Sequence, residues 1–117
     1  MSEKSERAYL LDILKAVGLI EQFMSGHDLT YFRKTPLLSS AVIRQLEIIG
    51  EASKRISLDT QKSYPSIPWS LMSRTRDKLI HAYSGVDLDI IFNIATIQLP
   101  KIKKDLQKVL RSTVDET

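Results

Sequence analysis

Arg76-Asp77-Lys78-Leu79-Ile80-His81-Ala82-Tyr83 reads as the last turns of a helix closed by Ser84-Gly85, and the way this helix is buried decides the fold. At about 100° of turn per residue, Met72, Leu79, Ile80 and Tyr83 project within roughly 60° of Arg76. A permanently charged guanidinium therefore stands in an apolar stripe. Burying it unpaired is costly, so Arg76 requires a carboxylate in the core or a place at a cleft or subunit interface. One turn after Asp77 comes His81, the one side chain of the segment that both takes and gives a proton near neutral pH.

Outward from this helix, Pro68 opens it and Pro65 stops a short helix over Ser57 to Tyr64. Trp69 is read as a core anchor at the helix start rather than a base-stacking platform. Upstream, Leu38, Val42, Leu46, Ile49, Ala52 and Ile56 form a helical stripe behind Thr35-Pro36, whose hydroxyl and proline suit a helix start. The other side of that helix carries Arg44, Glu47, Glu51 and Arg55, either as an exposed ladder of ion pairs or with Glu47 or Glu51 turned toward Arg76. At the N-terminal side, Leu10, Ile13, Leu14, Val17, Ile20 and Met24 recur at helical steps until Ser25-Gly26. His27 to Lys34 reads as a polar connection pinned by Tyr31 and Phe32, with His27 solvated or capping.

After Gly85, Asp87 caps a last helix with the stripe Leu88, Phe92, Ala95, Leu99, Ile102, Leu106 and Val109, kinked near Leu99 by Pro100. Lys101, Lys103, Lys104, Lys108 and Arg111 crowd its second half. They read as a solvated face that complements the helix dipole, with RNA contact as the other reading. The expected architecture is all-α: a single domain over 1–117, with its core from about 5 to 112, as an up-and-down bundle of four long helices and one short one.

Seventeen Lys and Arg against fourteen Asp and Glu give a net charge of +3, mildly basic and compatible with a polyanionic partner. The absence of cysteine excludes disulfides and thiolate metal sites, and two distant histidines, His27 and His81, do not suggest zinc. Neither a signal peptide nor an apolar run long enough to cross a membrane is visible, so no membrane contact and a cytoplasmic location are expected.

No nucleophile elbow or phosphate-binding glycine loop is present. Arg76, Asp77 and His81 instead suit RNA cleavage without a metal or other cofactor. In that reaction the ribose 2′-OH attacks the adjacent phosphorus, and the site must supply a base, an acid and a cation. His81 fits the first two roles and Arg76 the third, while Asp77 is placed to orient the imidazole. Because Arg76 and His81 diverge by about 140° on an ideal helix, either the arginine bends round or a second copy of the chain completes the site.

Arg76-Asp77-x-x-x-His81-x-Tyr83 resembles the Arg-x4-His-x-Tyr motif of HepT-like toxins in the HEPN superfamily. Further segments agree with that likeness: Ala41 to Ala52 with Lys54-Arg55, Tyr64-Pro65, Ile67-Pro68-Trp69, Gly85 to Ile90 and Leu99-Pro100. The resemblance implies a helical homodimer with a composite ribonuclease site, acting as the toxin of a toxin–antitoxin pair. It also implies an MNT-type nucleotidyltransferase antitoxin that silences the toxin by AMPylation of Tyr83. Asp77 departs from the common Asn, and Arg74 from a small residue; Arg74 and Lys78 are candidate RNA-phosphate contacts. Two other readings are a non-catalytic helical module that positions substrate for a nucleotidyltransferase, and a plain dimerisation domain.

Overall fold

A computed structural model describes residues 4–82 and 85–113, and among these every regular element is helical. The first helix, α1 (Glu6–Met24), is capped by Ser5, whose hydroxyl accepts from the Ala8 N–H. Most of its stripe is buried as its spacing predicts, with Leu10, Ile13, Val17 and Ile20 fully enclosed and Leu14 half-buried.

The supposed polar connection contains a further short helix, α2 (Leu29–Lys34), started by the Asp28 carboxylate on the Tyr31 N–H. Phe32 is fully buried and pins α2 to the core, whereas Tyr31 is exposed and stacks on the His27 ring at 4.1 Å. Six residues are too few to display a periodic stripe, so the bundle has one more short helix than expected.

At the centre lies α3 (Pro36–Ser53), packed on α1 along one side. Proline opens it as expected, but the Thr35 hydroxyl makes no capping bond. The short α4 (Leu58–Ser63) follows a Ser57 cap and is tied to α1 by Glu6, which accepts from the Ser57 N–H and the Thr60 hydroxyl. Burial alone pushes the Glu6 carboxyl up, but these bonds outweigh it and hold the pKa below its usual value.

Next comes α5 (Trp69–Ile80), lying across the other side of α3. Trp69 is a core residue whose indole donates to the Tyr64 carbonyl at 3.2 Å, which fixes the start of α5. Ile80, placed in the apolar stripe by its spacing, is 41% exposed.

The last rod comprises α6 (Leu88–Asn93), a π-helical segment (Ile94–Gln98) and α7 (Leu99–Ser112) without a break, with α6 packed on α2 and the rest on α1. Pro100 has no N–H for the Thr96 carbonyl, and its ring would crowd that carbonyl in a regular helix. The backbone answers by widening: the Leu99 N–H reaches Ile94 in an i→i−5 bond, so the expected kink takes the form of a π turn. Asp87 starts this rod by accepting from the N–H groups of Asp89 and Ile90. Asp87→Ala is expected to cost about 1 kcal/mol, read as a lower urea midpoint at unchanged m value. An unchanged midpoint would show that packing alone holds the start of α6. Among the described residues no helix is long and apolar enough to cross a membrane.

Candidate active site

Gly50 of α3 and Arg76 of α5 touch. A Cβ built on Gly50 would lie 2.2 Å from the Arg76 Cβ and 2.6 Å from the Met72 carbonyl oxygen, so only glycine lets the two helices approach this closely. The aliphatic stem of Arg76 lies over this gap, and its guanidinium continues toward solvent with 27% of the side chain exposed. The apolar stem is thus packed while the charge reaches two half-exposed carboxylates, which relieves the cost of placing it in an apolar stripe.

At the tip five charges form one chain. Arg76 meets Glu51 at 3.3 Å and Asp77 at 3.2 Å; Arg55 meets Glu51 at 3.4 Å, and Lys54 donates to Asp77 at 2.6 Å. Of the two α3 carboxylates weighed against Arg76, Glu51 reaches it, while Glu47 pairs with Arg44 at 3.5 Å. Each carboxylate beside Arg76 thus has a second cation of its own. Three cations and two acids leave the cluster with one positive charge in excess, and Arg76, the cation shared by both carboxylates, can be removed without leaving either one unpaired.

The hydrogen bond from Lys54, followed by that from Arg76, holds the Asp77 carboxyl below the usual carboxylate range. With a depressed folded value, its contribution to stability is complete above the unfolded pKa and is lost as the pH falls through the folded one. The stability gap between wild type and Asp77→Asn is therefore expected at neutral pH and should close as the pH drops below about 4. Urea titrations over that range check this, and a gap independent of pH would contradict it.

His81 stands at the end of α5 with a backbone that has left the helical region, φ −108° and ψ 14°, so the 140° divergence of an ideal helix does not apply to it. Its ring is held by the Asp77 backbone rather than by the Asp77 carboxylate: Nδ1 lies 2.8 Å from that carbonyl oxygen. A carbonyl oxygen only accepts, so Nδ1 carries the hydrogen and Nε2 presents its lone pair outward in the neutral ring. His81 is exposed, so Nε2 is open to a ligand.

Arg74 is exposed on another side of α5, its Nε donating to the Ser70 carbonyl at 3.4 Å, and does not join the cluster. Lys78 is exposed at the edge of a groove of about 740 Å³ between α5 and the α6–α7 rod. Leu46, Ile49, Met72, Leu79 and Ile91 supply its apolar floor, with Lys101 and Asp87 at its margin. Tyr83 lies outside the described residues. Among the described residues no three His, Asp or Glu side chains gather as a metal-binding group.

Gly50 and Lys54 enter the site although their sequence positions alone assign them no role in it, whereas Arg55 enters through the i,i+4 pair with Glu51 that its spacing offered. The signal was available for Gly50: a glycine inside the buried stripe of a long helix has a packing reason more often than not.

The sequence model of the ribonuclease HepT-like family matches residues 13–109. A protein of Thermococcus cleftensis named a probable ribonuclease HepT is 44% identical over 110 residues, covering 92% of this chain and 97% of the relative. Two Methanocaldococcus jannaschii proteins, each named a putative RNase, are 38% identical. One matches over 116 residues, covering 99% of this chain and 96% of itself, and the other over 109, covering 93% and 100%. No solved structure matched the chain significantly. With the family pattern spanning nearly the whole chain and the relatives matching end to end, this chain belongs to the ribonuclease HepT-like family.

Proposed function

We propose that this chain is a metal-independent endoribonuclease that cleaves RNA with Arg76 and His81. One observation carries the reading: Arg76 is redundant for neutralising Glu51 and Asp77, yet its tip is held at the surface on the helix that ends in an outward-facing imidazole. In the reaction, neutral His81 takes the 2′-OH proton at Nε2, and O2′ attacks phosphorus while the P–O5′ bond breaks. A protonated imidazole then supplies the proton to O5′, and Arg76 offsets the charge growing on the phosphoryl oxygens. The products are a 2′,3′-cyclic phosphate and a 5′-hydroxyl.

The second imidazole comes from a second copy of the chain, seated on the apolar groove. Leu71 and Ile90 of that groove are 46% and 57% exposed, an apolar surface of the kind that a second copy related by a two-fold axis covers. On this reading the chain is the toxin of a toxin–antitoxin pair, silenced by an MNT-type nucleotidyltransferase that places AMP on Tyr83. A modified tyrosine two residues from His81 would add phosphate charge where the RNA backbone must sit.

Purified protein incubated with RNA in EDTA tests the reading. Cyclic-phosphate ends are expected; intact RNA, or 3′-hydroxyl ends, would contradict it. Mass spectrometry after co-expression with the nucleotidyltransferase is expected to find AMP on Tyr83, and an unmodified tyrosine in the silenced complex would replace modification with steric blocking.

A further inference from the structure

We propose that the exposed basic stripe Lys101, Lys104, Lys108 and Arg111 on α7 is a second RNA-binding surface, holding the strand beside the bond that is cleaved. The proposal rests on the ribonuclease reading above for its substrate, but its evidence is separate. Residues 99–112 carry five of the basic residues and one acid, a surplus larger than the net charge of the entire chain. The next acids in sequence, Asp115 and Glu116, come after this helix has ended.

Two of the six charges on α7 have structural work. Lys103 binds Glu21 of α1 at 3.2 Å, and Asp105 accepts from the Ser66 hydroxyl at 2.8 Å. The others face water. Among the described residues Lys101, Lys104 and Lys108 form no ion pair or hydrogen bond, and Arg111 continues their row, also exposed. Three- and four-residue spacing puts these like charges next to one another, which destabilises a helix. The dipole does not account for them either, since Lys101 and Lys104 lie in the middle of the unbroken rod, away from its last turn. A row kept against stability, about 15 Å long on one helix face, is what a polyanionic strand requires.

Lys101 also connects the row to the proposed active site. It lines the same groove as Lys78 and Ala82, which flank His81 in sequence at the end of α5. A strand bound at His81 therefore meets Lys78 and Lys101 at the groove margin and then follows α7 outward. Neutralising single-strand phosphates releases about 0.7 counterion per contact, so four contacts give a slope near −3 in log K against log salt.

The test compares wild type with K104Q/K108Q/R111Q, which leaves the groove-margin Lys101 in place. Glutamine favours helix as lysine does and removes the repulsion, so the variant should melt no lower than wild type. Binding of a single-stranded 20-mer to the His81→Ala forms of both proteins is expected to fall about a hundredfold at 0.1 M salt, with the salt slope reduced by about two. Cleavage of a dinucleotide, too short to reach α7, should be unchanged.

Equal affinity and equal salt slope would overturn the proposal while wild-type cleavage leaves the ribonuclease reading standing. If wild type cleaves nothing, that reading fails, and the binding slopes still decide whether α7 holds RNA. Should the variant lose binding to poly-glutamate but keep its affinity for RNA, the stripe serves an acidic protein and the proposal is wrong.

Discussion

His81→Ala is expected to lower RNA cleavage by about 10²–10⁴-fold, the range set by losing a general acid–base group. Stability should hardly change, because the ring is exposed and its one hydrogen bond is to a carbonyl in the last turn of α5. That carbonyl fixes the tautomer, so a substitution that keeps a ring-like shape without the Nε2 lone pair should fail as completely as alanine. His81→Phe provides this control. His81→Asn is the more informative variant, since an amide can mimic the Nδ1 donor but cannot act as the base. Cleavage time courses beside thermal melts check the series, and His81→Ala protein as active as wild type would remove the imidazole from the chemistry.

Gly50→Ala is the second change with a large expected effect, and it removes no charged group. The new methyl group would overlap the Arg76 Cβ and the Met72 carbonyl oxygen, one of them backbone, so α5 must move away from α3. Overpacking of this kind costs about 1–3 kcal/mol, against which alanine recovers about 1 kcal/mol of helix propensity. The net loss of stability is therefore modest. Activity should suffer more, because displacing Arg76 by about 1 Å carries a penalty on the order of 10²-fold. Gly18→Ala in α1 is the matched control: nothing lies within 4 Å of its added Cβ, so it should be neutral or stabilising. If Gly50→Ala cleaves RNA as wild type does, the helix approach at Gly50 does not position Arg76.

The long helices could be predicted from spacing because each has one buried face: Leu10, Ile13, Val17 and Ile20 on α1, and Ala95, Leu99, Ile102, Leu106 and Val109 on the last rod, are buried as their periodicity requires. The helix α2 escaped that logic for lack of length, although Asp28 three residues before Tyr31 is a capping signal. Pro100 announced an irregularity but not its form, since a kink and a π turn both relieve the same clash.

At the site, two local anomalies are one feature. A glycine in the stripe of α3 and an arginine in the stripe of α5 each look wrong alone, and each explains the other once the helices are crossed. The Arg55–Glu51 pair is an i,i+4 contact that spacing offers, but which carboxylate Arg76 would meet, and that Lys54 would reach Asp77, depends on the crossing geometry of α3 and α5, which periodicity within either helix does not encode. The orientation of His81 was likewise hidden, because it depends on a backbone carbonyl at a helix end rather than on the side chain of Asp77.

The decisive measurement is the Arg76→Met variant followed by two readouts on one preparation, RNA cleavage and urea unfolding. Methionine retains an unbranched apolar stem over Gly50, and Glu51 and Asp77 keep Arg55 and Lys54. If Arg76 serves the phosphodiester, the variant unfolds within about 1 kcal/mol of wild type and cleaves RNA at least about 10²-fold more slowly. A variant that still cleaves RNA, or one that loses about 3–5 kcal/mol as a broken buried ion pair does, would show that the arginine is there to hold the helices together.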